Sequence, residues 1–385
     1  MKLLIAAFIA LATAQSDWTD PTDWTDPWQG STVPPAANLG CGCNYSGLWL
    51  DVVLVVDSSS AMTQQGFQSL LSYIATAVLQ MTIGQSAGQM SRFAVITYSS
   101  NATLRYSLTA FKNQNDLLNV VFTIPFEGRD GSNIEHGINV AQAELDKNGG
   151  GSYANRKKVL IIAASHYEPG ASNDPGQAAA TFRGNGGNII TIEYVQKHGT
   201  RVPILDSLAS NCSSLSNSNE DVRVNDLLAT FCRANCFCAA NWDAYSRDSK
   251  CYTPDNGCYF PVTIPAAWPL AERYCTLQNG ATLPTICNSD KAIFMTSLLQ
   301  NRQQSQWTGL SRGGNGVFTW DDGTSYSQCQ PNVNPRWLNG TALPGQPVAL
   351  YSPSGFQTYF YGGYQYADFI YTCQNRPCSS TLYCS

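Results

Sequence analysis

The chain has 385 residues, a formal net charge of −5 and only 13% charged residues. Without clustered lysines and arginines it offers no surface for nucleic acid or for an anionic membrane. The length gives room for two or three domains, and three histidines, His136, His166 and His198, leave little material for histidine-based catalysis.

The opening MKLLIAAFIALATAQ has a basic start at Lys2, an apolar stretch from Leu3 to Leu11 and small residues at Ala12 and Ala14. That is the pattern of a cleavable secretory signal, expected over residues 1–14. Residues 15–40 repeat Asp-Trp-Thr-Asp-Pro and are rich in proline and aspartate, too polar to offset chain entropy by burial, and read as an extended spacer. Its tryptophans Trp18, Trp24 and Trp28 have faces for stacking on a sugar or a partner; a soluble leader is the plainer reading. No later stretch approaches the ~18 to 20 apolar residues that span a bilayer, so no membrane anchor is expected.

From Leu50 the chain alternates two kinds of signal. Apolar, β-branched runs at Leu50–Val56, Phe93–Tyr98, Lys158–Ala164 and Asn188–Val195 have the length and texture of strands buried on both faces. Helical spacing or composition occupies Phe67–Leu79, Asn115–Val121, Ile134–Leu145, Ala178–Phe182 and Val202–Leu208. Such alternation predicts an α/β domain, a doubly wound and mostly parallel sheet wrapped by helices, over residues 41–236. Ligands of such sheets bind outside the carboxyl ends of the strands, and Asp57 stands at one of those ends.

After CRANCFCAANW the texture changes to short segments rich in Trp, Tyr, Gly and Pro, with helical signal at Ala267–Gln278 and Asn288–Asn301. Residues 237–373 read as a disulfide-rich α+β domain, and 374–385 as a tail whose Cys378 and Cys384 are far enough apart to close a small loop. Of fourteen cysteines, two are Cys41 and Cys43 and the other twelve begin at Cys212, so a core that forms without disulfides precedes a stapled one. The even count agrees with a secreted, extracellular protein. Sequons at Asn44, Asn101, Asn211 and Asn339 are candidate glycosylation sites.

The run DVVLVVDSSSAM, the strand RFAVITYS, the loop GRDGSNIEHGINVAQAEL and the strand KVLIIAAS together resemble a von Willebrand factor type A domain. The resemblance implies a metal-ion-dependent adhesion site, in which an Asp-x-Ser-x-Ser loop, a Thr on a second loop and an Asp on a third hold Mg²⁺. Here the first aspartate is Asp57 and the first serine Ser59, while the second serine falls on Ala61; the second-loop hydroxyl is Ser132, and the third-loop aspartate falls on Ser165. Mg²⁺ wants near-octahedral oxygen ligands, so Asp57, Ser59 and Ser132 form a degenerate set with one carboxylate. Asp130, Glu168 and Asp174 are the neighbours from which a second carboxylate would have to come. The competing expectation is that Asp57 and Ser59 cap the helix that follows.

The later segments AAWPLAERYC, GATLPTI, WTGL, WDDG and FIYTCQ resemble a C-type lectin-like domain. The resemblance implies a bond between Cys275 and Cys373, with Trp307 and Leu310 at the heart of the fold and Trp320 with Gly323 at a turn beside it. The family's inner cysteine pair is missing: one position reads Pro347-Val348-Ala349-Leu350, and no cysteine lies between Cys329 and Cys373. Sugar-binding members hold Ca²⁺ with a Glu-Pro-Asn or Gln-Pro-Asp triplet and a Trp-Asn-Asp run. Gln330-Pro331-Asn332 is one candidate for the triplet, making Gln330 and Asn332 the carbohydrate-binding candidates. Trp337 followed by Gly345-Gln346-Pro347 follows the family's order better, and there the third position is Val348. The final stretch has no acidic residue before Asp368 but is dense in tyrosine, at Tyr351, Tyr359, Tyr361, Tyr364, Tyr366 and Tyr371.

A type A domain joined to a C-type lectin-like domain behind a signal peptide resembles a large nematode group of secreted lectin-like proteins. The resemblance implies extracellular recognition of a glycan or glycoprotein ligand in innate immune defence. No cofactor is expected; Mg²⁺ or Ca²⁺ would be the ion if a degenerate set held one. The rival is a protein-protein adhesion module without carbohydrate or metal binding. No enzyme is expected, since nucleophile elbow, zinc spacing and phosphate loop are all missing.

Overall fold

The computed structural model describes residues 39–170, 174–196, 199–218, 222–248, 250–299, 304–329, 335–353 and 357–384. The signal segment, nearly all of the spacer, His198, Gln330 and Asn332 lie outside the described residues.

The first half runs β1 (Leu50–Asp57), α1 (Gln64–Val78), β2 (Arg92–Tyr98), β3 (Ala102–Tyr106), α2 (Gln114–Val121), α3 (Ile134–Asn148), β4 (Lys157–Ala164), α4 (Pro175–Gly184), β5 (Asn188–Glu193), α5 (Ile204–Leu208), β6 (Ser214–Ser216) and α6 (Val224–Ala234). The strands form one sheet in the order β3-β2-β1-β4-β5-β6, parallel except for β3, which pairs antiparallel with β2. Every residue of β1 is buried, because alternate side chains feed two different cores. Val52, Leu54 and Val56 pack with Phe67, Leu70 and Ile74 of α1 and Leu227 and Phe231 of α6. Val53 and Val55 pack on the other face with Ile134, Ile138 and Leu145 of α3 and Phe182 of α4.

The two aspartates of β1 differ in their company. At the amino end Asp51 accepts from Arg92 (Nε to Oδ1 2.8 Å), with Arg156 3.6 Å away. Arg92 lies over the ring of Tyr153 at 3.7 Å, so this buried carboxylate is matched by cations within the domain. Asp57, at the carboxyl end, has no such neighbour among the described residues and is satisfied differently, as described below.

The second half runs β7 (Asp243–Ala244), β8 (Cys258–Ala266), α7 (Trp268–Leu277), α8 (Ser289–Leu298), β9 (Gln306–Arg312), β10 (Phe318–Trp320), β11 (Arg336–Trp337), β12 (Pro347–Tyr351), β13 (Tyr359–Gly362) and β14 (Phe369–Asn375). They form a sheet in the order β11-β13-β12-β9-β14-β8-β7, with β10 added beside β9. Trp307 is fully buried on central β9 and its indole N–H donates to Ala266 O at 2.8 Å, so the largest apolar side chain in the strand leaves no polar atom unpaired. Leu310 and Trp320 are buried in the adjoining core with Val348, Leu350 and Phe360.

All fourteen cysteines are paired. Cys41–Cys236 and Cys43–Cys232 close the first domain near its ends, and Cys212–Cys251 ties it to the second. Within the second lie Cys238–Cys258, Cys275–Cys373 and Cys287–Cys329. The last of these gives Cys329 the partner that the sequence leaves unassigned, and it anchors the segment before the long loop to the start of α8. Cys378–Cys384 closes the tail, which returns to the first domain: Ser379 O accepts from the Trp49 indole at 2.8 Å, and the ring of Tyr383 meets Trp49 edge-on at 4.7 Å. Such a return contact between the chain's last residues and β1's neighbour holds the two sheets in one body.

Candidate functional site

The top of the first sheet is built by the loops that follow β1 and β4 and by the loop between α2 and α3, which packs beside the end of β2 with Asn133 N–H donating to Ser99 O at 2.8 Å. Asp57 ends β1 and is 1% exposed. Its Oδ1 accepts from the Ser59 N–H at 2.8 Å. Its Oδ2 accepts from both the backbone N–H of Ser165 at 3.1 Å and the Ser165 hydroxyl at 2.7 Å. Three donors thus converge on this one buried carboxylate and occupy both of its oxygens. Tyr98 lies close by, its hydroxyl held protonated first by burial and then by the negative charge of Asp57.

The second loop approaches because Gly131 adopts φ +116°, where an added Cβ would sit 2.5 Å from Ser100 N. This close approach places Ser132, whose Oγ accepts from the Glu168 N–H at 2.8 Å. The Ser59 hydroxyl is buried and has no hydrogen-bond partner among the described residues. Asp130 is exposed and accepts from the Ser60 hydroxyl at 2.6 Å. Asp174 is used as the cap of α4, accepting from Gly176 N–H at 3.0 Å. The Glu168 side chain is 81% exposed, 4.0 Å from His166 Nε2. None of the three neighbouring carboxylates is therefore brought onto Asp57.

The three loops do bring Asp57, Ser59, Ser132 and Ser165 together, but as a set of oxygens the group falls short of a divalent-cation site. It has one carboxylate, both of whose oxygens already accept hydrogen bonds, and a methyl group at Ala61 where the family pattern has an oxygen. Mg²⁺ needs six oxygens in tight octahedral order, so this donor set does not match it. Among the described residues no three His, Cys, Asp or Glu side chains cluster in a way that would hold a metal. The expectation that Asp57 and Ser59 cap the following helix is corrected: Thr63 caps α1, its Oγ1 accepting from Gly66 N–H at 3.1 Å. Asp57 is too far up the chain, because a short helical turn at Ser60–Met62 intervenes. A depression of about 480 Å³ opens beside this cluster, with Ala61, Thr63, Ser165, His166, Gln196 and Thr200 among its walls.

On the second domain, the position of Val348 in the family's triplet lies inside β12, fully buried and paired to Gly362. Gln346 closes a turn, its Oε1 accepting from Leu343 N–H at 2.9 Å. The loop between β13 and β14 is different. Ala367 N–H donates to Tyr364 O at 2.8 Å and Trp268 N–H to Gln365 O at 3.0 Å, so this tight loop is fastened to the start of α7. It presents Tyr364 and Tyr366, 67% and 62% exposed, with ring centroids 5.4 Å apart at 73°. The other tyrosines of the stretch are half-buried or, like Tyr371 against Tyr274, buried in packing. The sequence shows the tyrosine density; which two face solvent depends on the loop's fastening and has no signal in the spacing.

A family model for the von Willebrand factor type A domain matches residues 51–228. A model for the lectin C-type domain matches residues 264–347. Among curated proteins, C-type lectin domain-containing protein 160 of Caenorhabditis elegans is 24% identical over 241 residues, 62% of this chain and 37% of that protein. The chain thus spans little more than a third of that relative's length. Among solved structures, proximal thread matrix protein 1 from the mussel byssus aligns over 49% of this chain and 47% of its own, with a TM-score of 0.40 and 18% identity. The C-type lectin domain of murine dendritic cell inhibitory receptor 2, solved in complex with N-glycan, aligns over 36% of this chain and 98% of its own, with a TM-score of 0.29 and 22% identity. With the two family models matched in order and each on its own sheet, the chain is a von Willebrand factor type A domain followed by a C-type lectin-like domain.

Proposed function

We propose that this is a secreted recognition protein that binds glycans or glycoproteins outside the cell without a metal ion. The observation that carries the reading is the pair of solvent-facing rings Tyr364 and Tyr366 on a fastened loop of the lectin-like domain. Flat aromatic faces with hydroxyl tips suit the apolar face and the hydroxyls of a pyranose, and a fastened loop loses little entropy on binding. Seven disulfides are consistent with an oxidising, extracellular setting, and no helix among the described residues is long and apolar enough to cross a membrane. Innate immune defence is the setting we assign, by the domain pairing it has in common with secreted nematode lectin-like proteins. The reading includes no catalytic step.

The test is a glycan microarray probed with the wild type and with a Tyr364→Ala, Tyr366→Ala double variant. Wild-type binding that the double variant loses supports the reading; binding retained by the variant, or no glycan bound by the wild type, overturns it. The depression beside Ser165 and His166 favours a second reading, protein adhesion through the type A domain. Capture of one protein partner by the isolated wild type on an array that shows no glycan binding would be its signature.

A further inference from the structure

The disulfide-closed tail builds a cavity that neither domain has by itself. A space of about 310 Å³ lies between the lectin-like domain and the loop closed by Cys378–Cys384, at the lower end of the sizes that hold small ligands. Its walls include Trp242, Asn279 and Arg376 together with Leu382 and Tyr383 of the closed tail. Two bonds, Cys238–Cys258 and Cys378–Cys384, fix the backbone around it, so the space is preformed.

The chemistry of the lining is one-sided. Arg376 is exposed, and its guanidinium makes no ion pair and no hydrogen bond among the described residues; only its backbone N–H is engaged, by Asn375 Oδ1 at 2.8 Å. Among the described residues no Asp or Glu lines the cavity. Asn279 is exposed and its backbone O accepts from Asn375 Nδ2 at 3.3 Å, which leaves the Asn279 amide side chain turned to no protein partner among the described residues. Tyr383 is positioned by Asn155, whose Nδ2 donates to its hydroxyl at 2.9 Å, so that hydroxyl keeps its own proton to give. The lining thus offers an unpaired guanidinium and further donors together with the rings of Trp242 and Tyr383.

From this arrangement we propose a second binding site, separate from the tyrosine loop, that takes a monosaccharide-sized organic anion, its carboxylate on Arg376 and its ring body against Trp242 and Tyr383. A guanidinium meets a carboxylate through two parallel N–H bonds, which fixes both the charge and the orientation of the ligand. Aromatic rings in the lining accommodate the apolar side of a sugar.

Glucuronate and methyl glucoside are the probes, used with the full disulfide-bonded chain in ligand-observed NMR and calorimetry. Glucuronate is expected to bind saturably and the neutral glucoside at least about tenfold more weakly. Arg376→Gln, a change at an exposed and unpaired side chain, is expected to weaken glucuronate by about the same factor, while the Tyr364→Ala, Tyr366→Ala variant leaves it unchanged. Absence of saturable glucuronate binding, equal binding of the two probes, or equal affinity in Arg376→Gln would each overturn the proposal. Loss in the tyrosine variant with retention in Arg376→Gln would do so as well, by moving the anion to the other site.

Discussion

Lys291 gives the sharpest prediction about stability. It lies on α8, 3% exposed, with Nζ donating to Gln374 Oε1 at 2.9 Å and lying 5.1 Å from the centre of the Tyr259 ring. Burial pushes its pKa down to about 7 against an ordinary 10.5, with Asp322 opposing that fall and Arg247 adding to it. The folded state therefore releases this proton earlier than the unfolded chain does. Below about pH 7 both states hold it and the cost of the buried ammonium is at its full value; above, only the unfolded chain binds it, so stability rises with pH. The slope is about 1.4 kcal/mol per pH unit, so this group adds roughly 2 to 3 kcal/mol between about pH 7 and about pH 9. Lys291→Met removes the term without orphaning its neighbours. Gln374 Oε1 keeps the Thr285 N–H at 3.1 Å, the Tyr259 hydroxyl donates to Asn256 O at 2.7 Å, and Asp322 keeps the Thr285 hydroxyl at 2.7 Å. Urea denaturation at a series of pH values should show the variant more stable than wild type at acidic pH by roughly 1 to 4 kcal/mol, the two converging as pH rises. Curves that run parallel across the range would refute the reasoning.

Further expectations follow from the top of the type A domain and from the surface. Ala61→Ser with Ser165→Asp supplies the missing oxygen and the second carboxylate, so the melting temperature of the double variant should rise with Mg²⁺ and fall in EDTA. The wild type should respond to neither, and a Mg²⁺-dependent shift in it would contradict the account of Asp57. Thr63 caps α1 from φ +58°, a conformation costly for a β-branched residue. Thr63→Ala should therefore cost about 1 kcal/mol in chemical denaturation, and Thr63→Gly less, because glycine relieves the backbone as it loses the cap. Asn44, Asn101, Asn211 and Asn339 are all exposed, so protein expressed through a eukaryotic secretory pathway should shift in mass on treatment with an N-glycosidase, and each Asn→Gln variant should remove one step.

What the sequence reveals of this fold follows burial. The strands β1, β2, β4 and β5 are buried on both faces and stand out as continuous apolar runs. β3, Ala102–Tyr106, escapes that reading because it is an edge strand, half-exposed and carrying Thr103 and Arg105. β6 has only three residues, Ser214–Ser216. The helix Val224–Ala234 was legible in principle: Leu227, Leu228, Phe231 and Ala234 recur at helical spacing and are all buried. Asp174 before Pro175 likewise marks the start of α4, ahead of the apolar residues that draw attention to Ala178–Phe182. At the type A site the sequence identifies Ala61 and Ser165 as departures from the metal pattern. It does not reveal that Ser165 turns both its N–H and its hydroxyl onto Asp57, a contact across 108 positions. Lys291 and Gln374, which lie 83 positions apart, meet only through tertiary packing, and so do Arg376 and Trp242 around the tail cavity.

Recognition without a metal is the central claim, and glycan-array binding of the wild-type protein in Ca²⁺ and Mg²⁺ and again in EDTA tests it most directly. The account predicts the same glycans bound at the same strength under both conditions. Binding that disappears in EDTA and returns when Ca²⁺ or Mg²⁺ is restored would contradict it.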